Sequence, residues 1–216
     1  MRLRHLMTAT ALACCAAASS AATTWTDWTA SNANSAIGTL GSTTVRFSGP
    51  TYGPATQTAG GIDYWTSGTP DPYSVTGRPT GTDIIAIVGG PQTKFTLSFS
   101  QAVTNPYFAG LSLGQPGGYF VTYEFDATPT LISSGQGYWG GCGTCLTVSG
   151  NNLIGEEGHG VVQFMGSFTS ISWTAPVGET WHGFQVGVNA IPEPETYALM
   201  LAGLAAVGFM ARRRKG

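Results

Sequence analysis

Short runs in which apolar residues alternate with hydroxyl residues recur through the chain from residue 43 to residue 188. In 94–100, Phe95, Leu97 and Phe99 are separated by Thr96 and Ser98, a period of two that places the apolar side chains on one face of a β-strand. The run Ile84-Ile85-Ala86-Ile87-Val88 is apolar throughout and predicts a central strand covered on both faces. Comparable runs, each bounded by Gly, Pro, Asn or Ser, predict eleven strands near 43–48, 62–66, 83–88, 94–100, 107–113, 119–125, 130–133, 145–149, 160–165, 168–174 and 181–188. A further edge strand is expected at 25–28, followed by a polar surface loop to residue 42, and 49–61 and 67–81 read as long connections. Many short strands at this spacing predict an all-β fold, an antiparallel β-sandwich that is jelly-roll-like.

The two ends depart from this pattern. Residues 1–22 open with Arg2, Arg4 and His5, continue through an apolar stretch from Leu6 to Ala18, and close on the small residues Ser20, Ala21 and Ala22. That order is the order of a secretory signal peptide, so the mature chain is expected to begin near Thr23. A lipidated Cys14 or Cys15 is the weaker reading, because the large aliphatic residue Leu12 sits one place too late for it. At the other end, Pro192-Glu193-Pro194 breaks the β-rich chain, since proline lacks an N–H and fixes φ. An uncharged apolar run over 197–211 follows, then the basic cluster Arg212, Arg213, Arg214 and Lys215. As a helix the run covers roughly 22 Å of a hydrocarbon core about 30 Å thick. It is therefore expected to be a short transmembrane helix, with bilayer thinning and arginine snorkelling covering the deficit and the basic end staying cytoplasmic.

The Pro-Glu-Pro motif, short apolar helix and Arg-rich terminus together resemble the PEP-CTERM protein-sorting signal, also labelled an ice-binding protein C-terminal domain. The resemblance is confined to 191–216 and carries no ice-binding activity. It implies a substrate of an exosortase, cut near Pro192, Glu193 and Pro194 during export to the surface of a Gram-negative bacterium that makes exopolysaccharide. The implied partners are signal peptidase and exosortase, with transient anchoring in the inner membrane before release to the cell surface or extracellular matrix.

The remaining residues, 23–190, are about the size of one domain. Six of the nine basic residues lie in the two end segments, so this domain sets Arg46, Arg78 and Lys94 against nine acids and carries -6. A nucleic-acid partner needs clustered Lys and Arg and is excluded. Richness in Gly, Thr, Ser and aromatics with few Lys, Glu or Leu disfavours helices.

Candidate chemistry is sparse. Cys142 and Cys145, the only cysteines of the expected mature chain, suit a disulfide across a β-turn in an oxidising compartment. A thiol-redox role wants a helix after the first cysteine, where Leu146-Thr147-Val148-Ser149 instead reads as strand. Neither His159 nor His182 completes a zinc spacing with them, and no metal or other cofactor is expected. Glu156 and Glu157 sit in a glycine-flanked turn, which reads first as a solvated hairpin loop and second as a calcium or acid/base site. Glu124 and Asp126 share one face of a strand and are expected to face solvent opposite Tyr123 and Phe125. His182 is expected to be a packed, hydrogen-bonded residue, and no Gly-x-Ser-x-Gly elbow appears.

The strongest binding candidate is Gly135-Gln136-Gly137-Tyr138-Trp139-Gly140, where Tyr138 and Trp139 stand in a loop beside the cysteine pair. Exposed aromatics of this kind stack on sugar rings while Asp, Asn or Gln take the hydroxyls. Core packing is the competing reading for Trp139, and more so for the second candidates Tyr64 and Trp65. The expectation is thus an exported surface or matrix protein, structural or adhesive, with weak carbohydrate binding and no enzymatic activity. A secreted polysaccharide-active hydrolase is the alternative, and it requires acid and base groups converging in one cleft.

Overall fold

The computed structural model describes residues 22–189 and 194–213. Fourteen strands run antiparallel: β1 Thr23–Trp25, β2 Asp27–Asn32, β3 Ser35–Leu40, β4 Thr43–Ser48, β5 Ile85–Ile87, β6 Lys94–Thr104 and β7 Tyr107–Leu113 in the first half. The second half holds β8 Val121–Phe125, β9 Pro129–Gly135, β10 Leu146–Ser149, β11 Asn152–Gly155, β12 Gly158–Phe164, β13 Ser167–Thr174 and β14 His182–Asn189. They form two open sheets, consistent with a β-sandwich. The six-stranded sheet has the order β1-β14-β7-β12-β9, with β5 also on β14, and the eight-stranded sheet has the order β10-β11-β8-β13-β6-β4-β3-β2. From β5 to β14 the pairs include β5 with β14, β6 with β13, β7 with β12 and β8 with β11.

Alternation is realised as read in β6, whose Phe95, Leu97 and Phe99 are buried while Ser98 is exposed. Phe95 stacks on Trp173, which in turn meets Phe108 and Phe184 edge-on between the sheets. The inner faces of the two sheets thus make the principal core.

Strands β7, β12 and β14 are buried on both faces, because a second apolar cluster lies on the far side of their sheet. There Trp65 and Tyr73, carried by the long connection between β4 and β5, pack on Ile84, Ala109, Leu111 and Val161. Trp65 also donates its Nε1–H to the Asp83 carbonyl at 3.0 Å. The connection is therefore a cover for the six-stranded sheet rather than a free loop.

Three elements correct the sequence expectations. The expected strand at 62–66 is absent, since Tyr64 and Trp65 lie in a turn whose apolar content serves this cover. The apolar run at 84–88 is buried on both faces as expected but is not central: β5 pairs with β14 alone. Its other edge is satisfied by the connection, with Tyr52 N–H on the Ala86 carbonyl at 2.7 Å and Ala86 N–H on Thr56 Oγ1 at 3.1 Å. The stretch expected as polar surface loop after Trp28 forms most of β2 and all of β3 instead, two strands of few apolar residues held by pairing, β2 on β3 and β3 on β4.

There is one helix among the described residues, α1, spanning Pro194–Arg213. Among the described residues no helix is long and apolar enough to cross a membrane. The expectation of a transmembrane helix over 197–211 falls on α1 and is not shown by it. The expected signal peptide over 1–22 lies outside the described residues except for Ala22.

Candidate functional site

Three central strands of the six-stranded sheet, β14, β7 and β12, bring their ends together at one rim. At the end of β7, Ser112 adopts φ 56°, and the register with β12 shifts between Gly158 and Gly160. A bulge of this kind re-aims side chains. Just before β12, Glu157 also adopts a left-handed φ of 54° and turns inward, so that it is only 7% exposed. The solvated hairpin expected for Glu156-Glu157 is therefore half right. Glu156 stays near the surface and accepts Gly117 and Gly118 N–H at 3.1 and 2.7 Å, while Glu157 is part of the interior.

Glu157 Oε1 accepts the Ser112 hydroxyl at 2.6 Å and lies 3.1 Å from His159 Nε2. His159 Nδ1 accepts the Ser112 N–H at 3.2 Å, which assigns the ring proton to Nε2 and makes the histidine a neutral donor to Glu157. A parallel arrangement stands before β14. Glu179 Oε1 accepts the Gly114 N–H at 2.9 Å and lies 2.5 Å from His182 Nδ1. His182 is fully buried and its Nε2 has no partner among the described residues, so Nδ1 is the nitrogen that donates, to Glu179. Nearby, burial and then the charge of Glu179 push the Tyr123 hydroxyl well above its ordinary pKa.

The aromatic loop closes this rim. Gly137 and Gly140 bond to each other through both N–H groups, leaving Tyr138 and Trp139 at the tip of a two-residue turn. A side chain at Gly137 would overlap the His159 ring, so glycine there lets the loop lie against the histidine. Tyr138 and Trp139 are each 43% exposed. They form a cluster with Tyr64 and Trp181: Trp139 stacks on Tyr64 at 5.2 Å and meets Trp181 edge-on at 5.1 Å. Cys142 and Cys145, joined as a disulfide, follow two residues after the turn. Trp139, Trp181, Glu157 and Glu179 line a cleft of about 240 Å³, to which Ser112, Gln115 and Thr180 add polar groups.

Of the residues singled out in the sequence, Tyr138, Trp139 and the cysteine pair lie at this rim together with the second candidate Tyr64, whereas Trp65, paired with Tyr64 in that reading, is fully buried in the cover. It missed Trp181, Ser112 and Glu179 as partners of the loop. Glu124 and Asp126 are exposed opposite buried Tyr123 and Phe125, bonded to Thr174 and to the Ser172 N–H, and lie outside the cleft. No group of three or more His, Cys, Asp or Glu able to hold a metal ion occurs among the described residues. Of the sorting residues, Pro194 opens α1 and Arg212 is exposed in its last turn, Arg213 ends it, and Pro192, Glu193, Arg214 and Lys215 lie outside the described residues.

Residues 190–215 match the family model of the PEP-CTERM protein-sorting motif. The chain ends in a PEP-CTERM signal. No curated protein and no solved structure matches the chain. The PEP-CTERM signal implies export and exosortase-dependent sorting to the cell surface, and it leaves the β-sandwich that it delivers to be understood from its own geometry.

Proposed function

We propose that the exported β-sandwich binds carbohydrate at the cell surface or in the extracellular matrix of a Gram-negative bacterium, in a structural or adhesive role. The tail's route would include signal peptidase, transient anchoring at the inner membrane and exosortase cleavage near Pro192, Glu193 and Pro194. The order of pairing from β5 to β14, first with last and inward from there, supports a jelly-roll reading of the sandwich, a scaffold that lectins use.

The observation that carries the reading is the half-exposed Trp139, braced by Tyr64 and Trp181 beside a cleft whose other groups accept or donate hydroxyl hydrogen bonds. A sugar ring presents an apolar face to stack on an indole and a polar rim to meet such groups. The test is a glycan array probed with the processed, exported protein and with its Trp139→Ala variant. Binding by the first and its loss in the second is the expected result; no glycan bound by either removes the reading and leaves a structural surface protein.

A hydrolase is the second reading, favoured by one observation: Glu157 and Glu179 line a common cleft, as paired carboxylates do in glycosidases. Binding is preferred because the two are held alike, each through Oε1 by a histidine N–H and one further donor. An acid and a base need unlike surroundings. Release of reducing ends from bound glycans over a day would overturn that preference.

A further inference from the structure

Among the described residues neither cleft carboxylate has a lysine or arginine partner. His159 is a neutral partner, since its Nδ1 accepts the Ser112 N–H, and of the described basic residues Arg78 pairs with Asp63, at 3.6 Å. The side chains of Glu157 and Glu179 are 9% and 1% exposed, yet every hydrogen bond that each accepts goes to Oε1. Oε2 of both is left without a protein partner among the described residues, in side chains that line the cleft. Neither oxygen is sealed off from the cleft, and a carboxylate this largely withdrawn from bulk water attracts a cation more strongly than an exposed one does.

What meets them has to suit two indoles as well. Trp139 and Trp181 share the cleft with the carboxylates, and an indole face attracts a cation as well as an apolar ring face. The donor set does not suit a metal ion, since these glutamates and histidines form no group of three or more ligands. A cation carried on a ring satisfies both halves of the lining. We infer that the cleft takes an amino sugar, its ammonium group between the free oxygens of Glu157 and Glu179 and its ring face on Trp139.

The inference rests on the carbohydrate reading and sharpens it into a ranking. Glucosamine oligomers bind best, neutral glucose and N-acetylglucosamine oligomers bind more weakly, and uronate oligomers, which would bring like charge against two carboxylates, are rejected. The cleft volume of about 240 Å³ lies below the range of pockets for larger ligands, which matches one ring rather than several.

Titration calorimetry of the processed, exported protein against four tetramers, built of glucosamine, N-acetylglucosamine, glucose and glucuronate, tests the ranking. Affinity for the glucosamine tetramer is expected to exceed that for the glucose tetramer by about tenfold or more, and Glu157→Gln or Glu179→Gln to abolish that excess. Glu124→Gln, which removes the same charge from the outer face of the other sheet, is expected to leave the excess intact. Equal affinity for glucose and glucosamine overturns the inference while the carbohydrate reading stands. Loss of the excess in Glu124→Gln also overturns it, by assigning the preference to overall charge. No binding to any tetramer overturns both. The ranking by the unaltered protein needs no variant, so a variant that fails to fold leaves the test decisive.

Discussion

On the eight-stranded sheet the side chains that point away from the core include Ser98 and Ser100 of β6, Arg46 and Ser48 of β4, and Ser170 of β13, all exposed. On the six-stranded sheet the corresponding outward positions are Ala109, Leu111 and Val161, sealed under Trp65 and Tyr73. One sheet is therefore wet on its outer face and the other is dry on both. The difference locates the cleft, which lies where the cover ends and the aromatic loop begins. Tyr64 belongs to that loop cluster, and Trp65, its neighbour in sequence, to the cover.

The largest effect that breaks or sharpens this contrast is Trp65→Ala. Removing a fully buried indole that also bonds to the Asp83 carbonyl is expected to cost about 3–5 kcal/mol, read as a fall in the urea midpoint. Ser98→Ala on the wet face is expected to stay within about 0.5 kcal/mol. Similar costs for the two variants would mean that the connection is no cover at all.

The same contrast explains what was legible in the sequence. Where one face is wet, as in β4, β6 and β8, alternation of period two appears in the residues themselves; the strand at 43–48 was read as such, and that at 94–100 with its inward side chains. Where both faces are dry, the run over 84–88 announced burial but not pairing, because a continuous apolar stretch does not say how many neighbours it has. β2 and β3 were illegible because their stability comes from pairing, β2 on β3 and β3 on β4, rather than from apolar content. In the cleft, Tyr138 and Trp139 were visible as aromatics between glycines. Glu157 was visible only as a polar turn, since the left-handed backbone that turns it inward is imposed by the bulge with Ser112. Glu179 gave no signal, because its role depends on Gly114, 65 residues away.

A smaller effect concerns the loop at the dry sheet's rim. Closing a loop of four residues by the Cys142–Cys145 disulfide is worth about 2 kcal/mol through the unfolded chain. The paired Cys142→Ser and Cys145→Ser variant is expected to lose about that much, and to weaken glycan binding because the neighbouring Trp139 turn is less constrained. Unchanged binding with lowered stability would separate the disulfide from the aromatic shelf and make it purely structural.

The smallest expected effect lies at the seam between the wet and dry regions. Asp83 stands just before β5, its carbonyl accepting from Trp65 in the cover, while its Oδ2 accepts the Trp28 N–H of β2 in the other sheet at 2.8 Å. Burial raises the pKa of its carboxyl, the Trp28 N–H lowers it by less, and Asp27 adds to the rise. The folded chain therefore holds this proton more tightly than the unfolded chain does. Its contribution to stability is complete below the ordinary carboxylate value of about 3.9 and is lost as pH rises from there through the raised value. Asp83→Asn keeps an acceptor for Trp28 and cannot ionise. It is expected to flatten part of the decline in melting temperature over that interval, relative to the parent protein, and to leave the acid-side melting temperature nearly unchanged. Parallel profiles for the two proteins would show that the seam is already solvated, with the dry region ending short of Asp83.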